Sequence, residues 1–297
     1  MLALAISLAL LVGVSLGLLG GGGSILTVPI LRYALGMDAP AAAAGSLVLV
    51  GLTSVAALLT HARAGRVRWL TGLLFGGSGM VGAFVASQLA GKVPAAATML
   101  TLAAMMFGTA LAMLRGRKAP VPEAMPAARR VTRVLLQGLA LGALTSFVGA
   151  GGGFIVVPAL ALLAGLPMDA AVGTALLVIA MNAAAALAGY ASNPAVHIAW
   201  GVIVPMSAAA VIGSVLGGRL VARVSPDALR WGFAWFVIGM GLFVVGMELP
   251  PLVGLPAHAP IAGVVALAVT LGALGWARRR KTATTAAPLA LAPGSQG

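Results

Sequence analysis

Cysteine is absent from the 297 residues, which excludes disulfides, thiolate metal sites and cysteine nucleophiles. Charge is scarce as well. Only 8% of residues are Asp, Glu, Lys or Arg, against roughly 25% in soluble domains. Acids number five, and Asp38, Asp169 and Glu248 fall at the ends of apolar runs. No run therefore carries a central acid for proton or sodium coupling, or a buried Arg to fork an anion, although such groups are usually functional where they occur. The three histidines, His61, His197 and His258, are scattered without metal-ligand spacing, so no metal is expected. No nucleophile–base–acid set appears, so the chain reads as no enzyme, and no cofactor is implied.

What is present is hydrophobicity. Apolar residues make up 61% of the chain, and the mean hydropathy is +1.10. The fold class is all-α, a polytopic membrane protein whose length suits about ten segments of roughly 20 residues. The net charge of +13 reflects Lys- and Arg-rich cytoplasmic loops rather than a nucleic-acid surface, because the basic residues sit between apolar runs. Leu2–Leu19 lacks the basic start of a signal peptide and matches Val134–Val148, so it reads as a retained segment.

A glycine-dense break occurs twice inside this apolar sequence. Gly20-Gly21-Gly22-Gly23-Ser24 leads to Pro29, and Gly149-Ala150-Gly151-Gly152-Gly153 leads to Pro158, 158 − 29 = 129 residues later. Bare backbone cannot face lipid, so such a run must be buried in protein or line a cavity. A duplicated interruption is the best sequence pointer to the binding site of a transporter. Neither run is a nucleotide loop, because no Lys-Ser/Thr follows.

The halves match further. Gly36 pairs with Gly165, Gly45-Ser46 with Gly173-Thr174, and Ser54 with Asn182. The hydroxyl and the second polar residue are eight apart in each copy, so both face one way on a helix, and the pattern places the hydroxyls at one depth. Apolar runs predict segments near 2–19, 24–36, 41–60, 69–90 and 95–114. They recur near 134–148, 153–166, 170–190, 198–218 and 229–248. The division expected is a first repeat at 1–114, a cytoplasmic basic linker at 115–133, a second repeat at 134–248, an extra membrane helix at 258–276 and a disordered tail at 282–297. The linker holds three prolines and six basic residues.

Loop charge sets the orientation. The clusters at Arg63/Arg66/Arg68, 115–133, Arg219/Arg223/Arg230 and Arg278–Lys281 are read as cytoplasmic. The counterpart of the first, Tyr190–His197, lacks Lys and Arg and reads as external. Equivalent loops thus fall on opposite sides, the mark of two inverted repeats of about five segments each.

With no charge in the spans, a substrate meets backbone N–H groups, hydroxyls and one amide. A helix beginning after a glycine turn is a ready anion site. The expected substrate-binding set is Gly21, Gly22, Gly23, Ser24, Thr27, Ser46, Ser54, Gly151, Gly152, Gly153, Thr174 and Asn182. For Gly13/Gly17 and Gly213/Gly217 the bland reading, close helix packing, is preferred. Asp38 and Asp169 read as helix-start residues, and the tryptophans as an interfacial belt.

At these motifs the chain resembles the TauE/SafE sulfite exporter family, also called the toluene-sulfonate uptake permease family. The resemblance rests on Gly20–Pro29, Gly45-Ser46 with Ser54, His61 followed by Gly65-Arg66-Val67-Arg68-Trp69, Gly149–Pro158 and Gly173-Thr174, and spans about 1–248. It departs from its relatives at Arg68, where they often carry an acid. The resemblance implies a permease for sulfite, a sulfonate or another sulfur-containing anion. An interior-negative potential favours export of an anion by about 2.3 kcal/mol per charge per 100 mV without a coupling ion. Expected partners are a small anion, the bilayer of the cell inner membrane and a second copy as a homodimer. An importer of another organic anion and a non-transporting scaffold are the competing readings.

Overall fold

The computed structural model describes residues 2–19, 24–90, 92–115, 127–149, 151–194, 196–220 and 226–252. These form α1 (Leu2–Leu19), α2 (Ser24–Pro29), α3 (Ala39–Arg63), α4 (Trp69–Ala90), α5 (Ala95–Arg115), α6 (Ala127–Phe147), α7 (Gly153–Leu162), α8 (Met168–Ala191), α9 (Trp200–Leu220) and α10 (Pro226–Leu252). Five of them, α3, α4, α5, α8 and α9, are long and apolar enough to cross a membrane. With the shorter apolar helices between them they make an all-α polytopic membrane protein. Gly20–Gly23, the segment 258–276 and the tail 282–297 lie outside the described residues. The largest early start is that of α6, which begins at Ala127, so its first turns carry Arg129, Arg130 and Arg133. Helix propensity, not hydropathy, sets that boundary, since Ala and Arg are both good helix formers.

The two short helices end alike. Pro29 lies in α2 and Pro158 in α7. After Pro29 the chain widens into a π-helical turn, Ile30–Ala34, and such turns are frequent at functional sites. The Leu35 N–H donates to the Ile30 carbonyl at 3.2 Å, and Met37 to Leu31 at 3.1 Å. The same pair recurs 129 residues on, Ala164 to Ala159 at 3.4 Å and Leu166 to Leu160 at 3.2 Å. Gly36 and Gly165 close these turns at φ +68° and +67°.

Packing runs between the halves. α1 lies on α9, α6 on α4, α3 on α8 and α5 on α10, while α3 also meets α9 and α8 meets α4. Exchanging α1–α5 for α6–α10 leaves this pattern unchanged. The first two pairs are parallel: Gly13 sits on Ala210 and Gly17 on Ser214, while Gly138 sits on Phe75 and Gly142 on Gly79. A Cβ at any of these would overlap the partner's backbone, so the helices touch main chain to main chain. The packing reading of Gly13, Gly17 and Gly213 therefore holds. By contrast α3 and α8 run antiparallel. Gly51 opposes Ala183, the start of α3 shares a cavity with Tyr190 at the end of α8, and Arg68, just past α3, bonds Thr174 near the start of α8. The two broken elements, α2 and α7, meet, and Ile25, Val28 and Phe154 from them join Met106 of α5 and Val237 and Val244 of α10 in one apolar cluster.

Candidate functional site

The second break is a compact turn. Gly149, Gly151 and Gly152 take φ values of +74°, +63° and +81°, a region that side-chain-bearing residues rarely adopt. Gly152 caps α7, its carbonyl accepting from the Ile155 and Val156 N–H groups at 3.0 and 2.9 Å. The first N–H groups of α7 have no partner within the helix, as at any helix start.

The turn is seated on α3 of the other half and on α6 and α8 of its own. Gly149 lies on Ala43 of α3, Gly151 on Val50 of α3 beside Ile179 of α8, and Gly152 on Thr145. Ala43, Ser46, Val50 and Ser54 share one helical face, at i, i+3, i+7 and i+11. Ser46 therefore lies between the two contact points, and Ser54 one turn beyond. On α8, Asn182 is one turn from Ile179, and its amide lies against Gly79 of α4, where a Cβ would be 2.6 Å from Oδ1.

These polar side chains are fully buried and unpaired. Ser46 Oγ, Ser54 Oγ, Ser146 Oγ and both amide atoms of Asn182 have no hydrogen-bond partner among the described residues. Leaving such a group unpaired costs about 1–3 kcal/mol. Native proteins keep few of them, and those retained call for a reason. Three hydroxyls and an amide can each donate a hydrogen bond without bringing charge into the apolar interior.

The expected residues divide. Ser46 and Ser54, on one face of α3, and Asn182, one turn from Ile179 on α8, flank the turn at Gly151, Gly152 and Gly153, all three of which are buried. Ser24 and Thr27 are buried in α2 with interactions of their own. Thr174 accepts a hydrogen bond from the Arg68 N–H at 3.0 Å. Gly21, Gly22 and Gly23 are outside the described residues. One expectation needs correcting. Ser46 and Thr174 do not share a depth, because α3 and α8 are antiparallel and cross near Gly51 and Ala183. Ser54 and Asn182 lie within one turn of that crossing, while Ser46 and Thr174 fall toward opposite ends. Ser146 was not expected, since Gly17 holds the equivalent place 129 residues earlier. Its carbonyl also accepts from the Gly149 N–H at 3.1 Å, which anchors the turn.

A cavity of about 260 Å³ approaches from the side where α3 begins, lined by Arg32, Asp38, Ala43, Val93, Thr98 and Tyr190 among others. Two wall residues touch the Ser146–Gly149 strip. Ala43 carries Gly149, and the Tyr190 hydroxyl donates to the Ser146 and Phe147 carbonyls at 3.4 and 3.3 Å. The turn itself is tightly enclosed, and Ala43, on which Gly149 packs, also lines this opening. Asp38 takes the N-cap position of α3 without a side-chain capping bond, and Asp169 lies in the first turn of α8, where an acid favours the helix dipole.

Known proteins place this arrangement in a family. A "Probable membrane transporter protein" of Xylella fastidiosa (strain Temecula1) is 33% identical over 249 residues, covering 82% of this chain and 94% of the relative. A second protein of that name, from strain 9a5c, is 38% identical over 173 residues, covering 57% and 66%. The "Probable membrane transporter protein YdhB" of Bacillus subtilis is 30% identical over 175 residues, covering 57% and 70%. No solved structure matches the chain significantly. The sequence profile described as "Sulfite exporter TauE/SafE" matches residues 5–244, nearly all of the described helices, and the chain belongs to that family of membrane transporters.

Proposed function

We propose that this protein carries a small sulfur-containing anion, sulfite or an organosulfonate, out of the cell across the inner membrane. The observation that carries this reading is the set of buried, unpaired donors, Ser46, Ser54, Ser146 and Asn182, around the second glycine turn. Neutral donors and a helix start attract a negative charge while leaving it free to depart. The α2 and α7 elements are inverted-repeat counterparts, and rocking of the halves about the α3–α8 crossing exposes the anion to each side in turn. The antiparallel α3 and α8 support this relation, as do the contacts that survive exchange of the halves. An interior-negative membrane drives the anion outward by about 2.3 kcal/mol per charge per 100 mV.

In proteoliposomes, an imposed potential drives labelled sulfite flux, with sulfate and acetate as controls. Flux that is electroneutral and needs a proton gradient contradicts the uncoupled version. The close packing of Gly149, Gly151 and Gly152 favours a second reading, a scaffold whose glycines only pack helices. A saturable rise in melting temperature with sulfite separates the two, because a scaffold shows none.

A further inference from the structure

The cavity wall holds one cation with donors to spare. Arg32 lies in the π-helical turn after α2, and its Nε donates to Glu248 Oε1 of α10 at 3.1 Å. The Tyr33 hydroxyl donates to the same oxygen at 2.8 Å. Glu248 is 8% exposed and so is fixed in place by both. This is a single bond from the Nε edge, not the two-bond fork that Arg and carboxylate usually make. A guanidinium has five N–H donors. Nε uses one, the guanidinium also lies over the Tyr33 ring at 5.7 Å to its centroid, and the terminal nitrogens meet no carboxylate among the described residues. Arg32 also forms part of the cavity wall that leads to Ala43 and Tyr190.

The bland account is that Arg32 steadies a helix C-terminus and anchors α10. It explains the Nε contact and the location. It does not explain why the terminal nitrogens are left without a carboxylate at a cavity whose wall residue Ala43 packs on Gly149. Nor is the residue part of the duplicated scaffold, since Ala161 stands at the equivalent place in the second half.

We propose that Arg32 is an anion-binding residue of this cavity. It presents its two terminal nitrogens to an oxyanion with two oxygens in fork geometry, such as a sulfite or sulfonate, while Glu248 and Tyr33 hold its Nε edge. The assignment rests on the anion-permease reading. Asp38 is the opposing charge in the same wall, and Glu248 lies behind the guanidinium, so the site has no broad positive field. Binding depends on the fork itself. Lys keeps the charge and loses that geometry.

The test is a thermal-shift titration of the purified full chain with sodium sulfite and with sodium methanesulfonate, against sodium chloride at matched ionic strength. The wild type is stabilised saturably by both oxyanions. Arg32→Lys raises the half-saturating concentration about tenfold or more, the loss expected of one charge-assisted hydrogen bond. Asp38→Asn lowers it. Where Arg32→Gln alone fails to fold because Glu248 is left unpaired, Arg32→Gln with Glu248→Gln restores a neutral pair and still loses the response. Equal half-saturation in wild type and Arg32→Lys overturns the assignment, as does no response in the wild type. A merely structural Arg32 lowers the melting temperature without anion and leaves half-saturation unchanged. Flux separates the two readings. Sulfite transport with an unaltered Arg32→Lys titration sinks the Arg32 site alone. An Arg32-dependent response without transport sinks the permease reading alone.

Discussion

Gly152 shows how much one residue is asked to do. Its φ of +81° and the Thr145 side chain both exclude a Cβ. Gly152→Ala is expected to lower stability by about 2 kcal/mol or more, since the left-handed conformation alone costs roughly 1–2 kcal/mol. A melting curve checks this. That loss speaks to packing, not to substrate. The residues that speak to substrate are those whose atoms the fold leaves unsatisfied. Ser54→Ala removes a buried hydroxyl with no partner, so it is expected to leave stability equal or higher while lowering sulfite flux. A variant that melts earlier and transports normally contradicts the assignment of Ser54. Stability gained at the expense of activity is the usual mark of a working site.

Among the elements, the glycine-lined parallel pairs hold the halves together. Gly13 of α1 and Gly142 of α6 occupy equivalent places, on Ala210 and Gly79. Gly13→Val and Gly142→Val should therefore cost similar amounts of melting temperature and of protein in the membrane. A large loss in one and none in the other would count against the equivalence of α1–α9 and α6–α4. Much at this scale was legible in the chain itself. The run at 69–90 is α4 to the residue, because Arg68 and Gly91 bound a stretch without charge or proline. The break before Gly153 follows from Gly149, Gly151 and Gly152, since glycine alone takes positive φ easily. The partners of each helix were not legible. In a chain apolar all round, no stripe marks which face meets a neighbour and which meets lipid. The Arg32–Glu248 pair spans 216 positions and has no local signature. Ser146 escaped notice because its repeat counterpart is a glycine.

For the whole molecule, the orientation of the halves decides the mechanism. Because the chain lacks cysteine, single cysteines report accessibility without background. Arg68→Cys, in the loop between α3 and α4, and Asn193→Cys, in the loop after α8, should be labelled from opposite sides of the membrane by an impermeant maleimide. Labelling from one side contradicts the inverted arrangement and with it the rocking mechanism. The most direct measurement of the central claim is labelled sulfite flux into proteoliposomes under an imposed potential, with wild type and Asn182→Leu compared at equal protein. The account predicts potential-driven flux in the wild type, a loss of about tenfold or more in the variant, as when one specific hydrogen bond is removed, and no fall in its melting temperature. Undiminished flux through Asn182→Leu would contradict it.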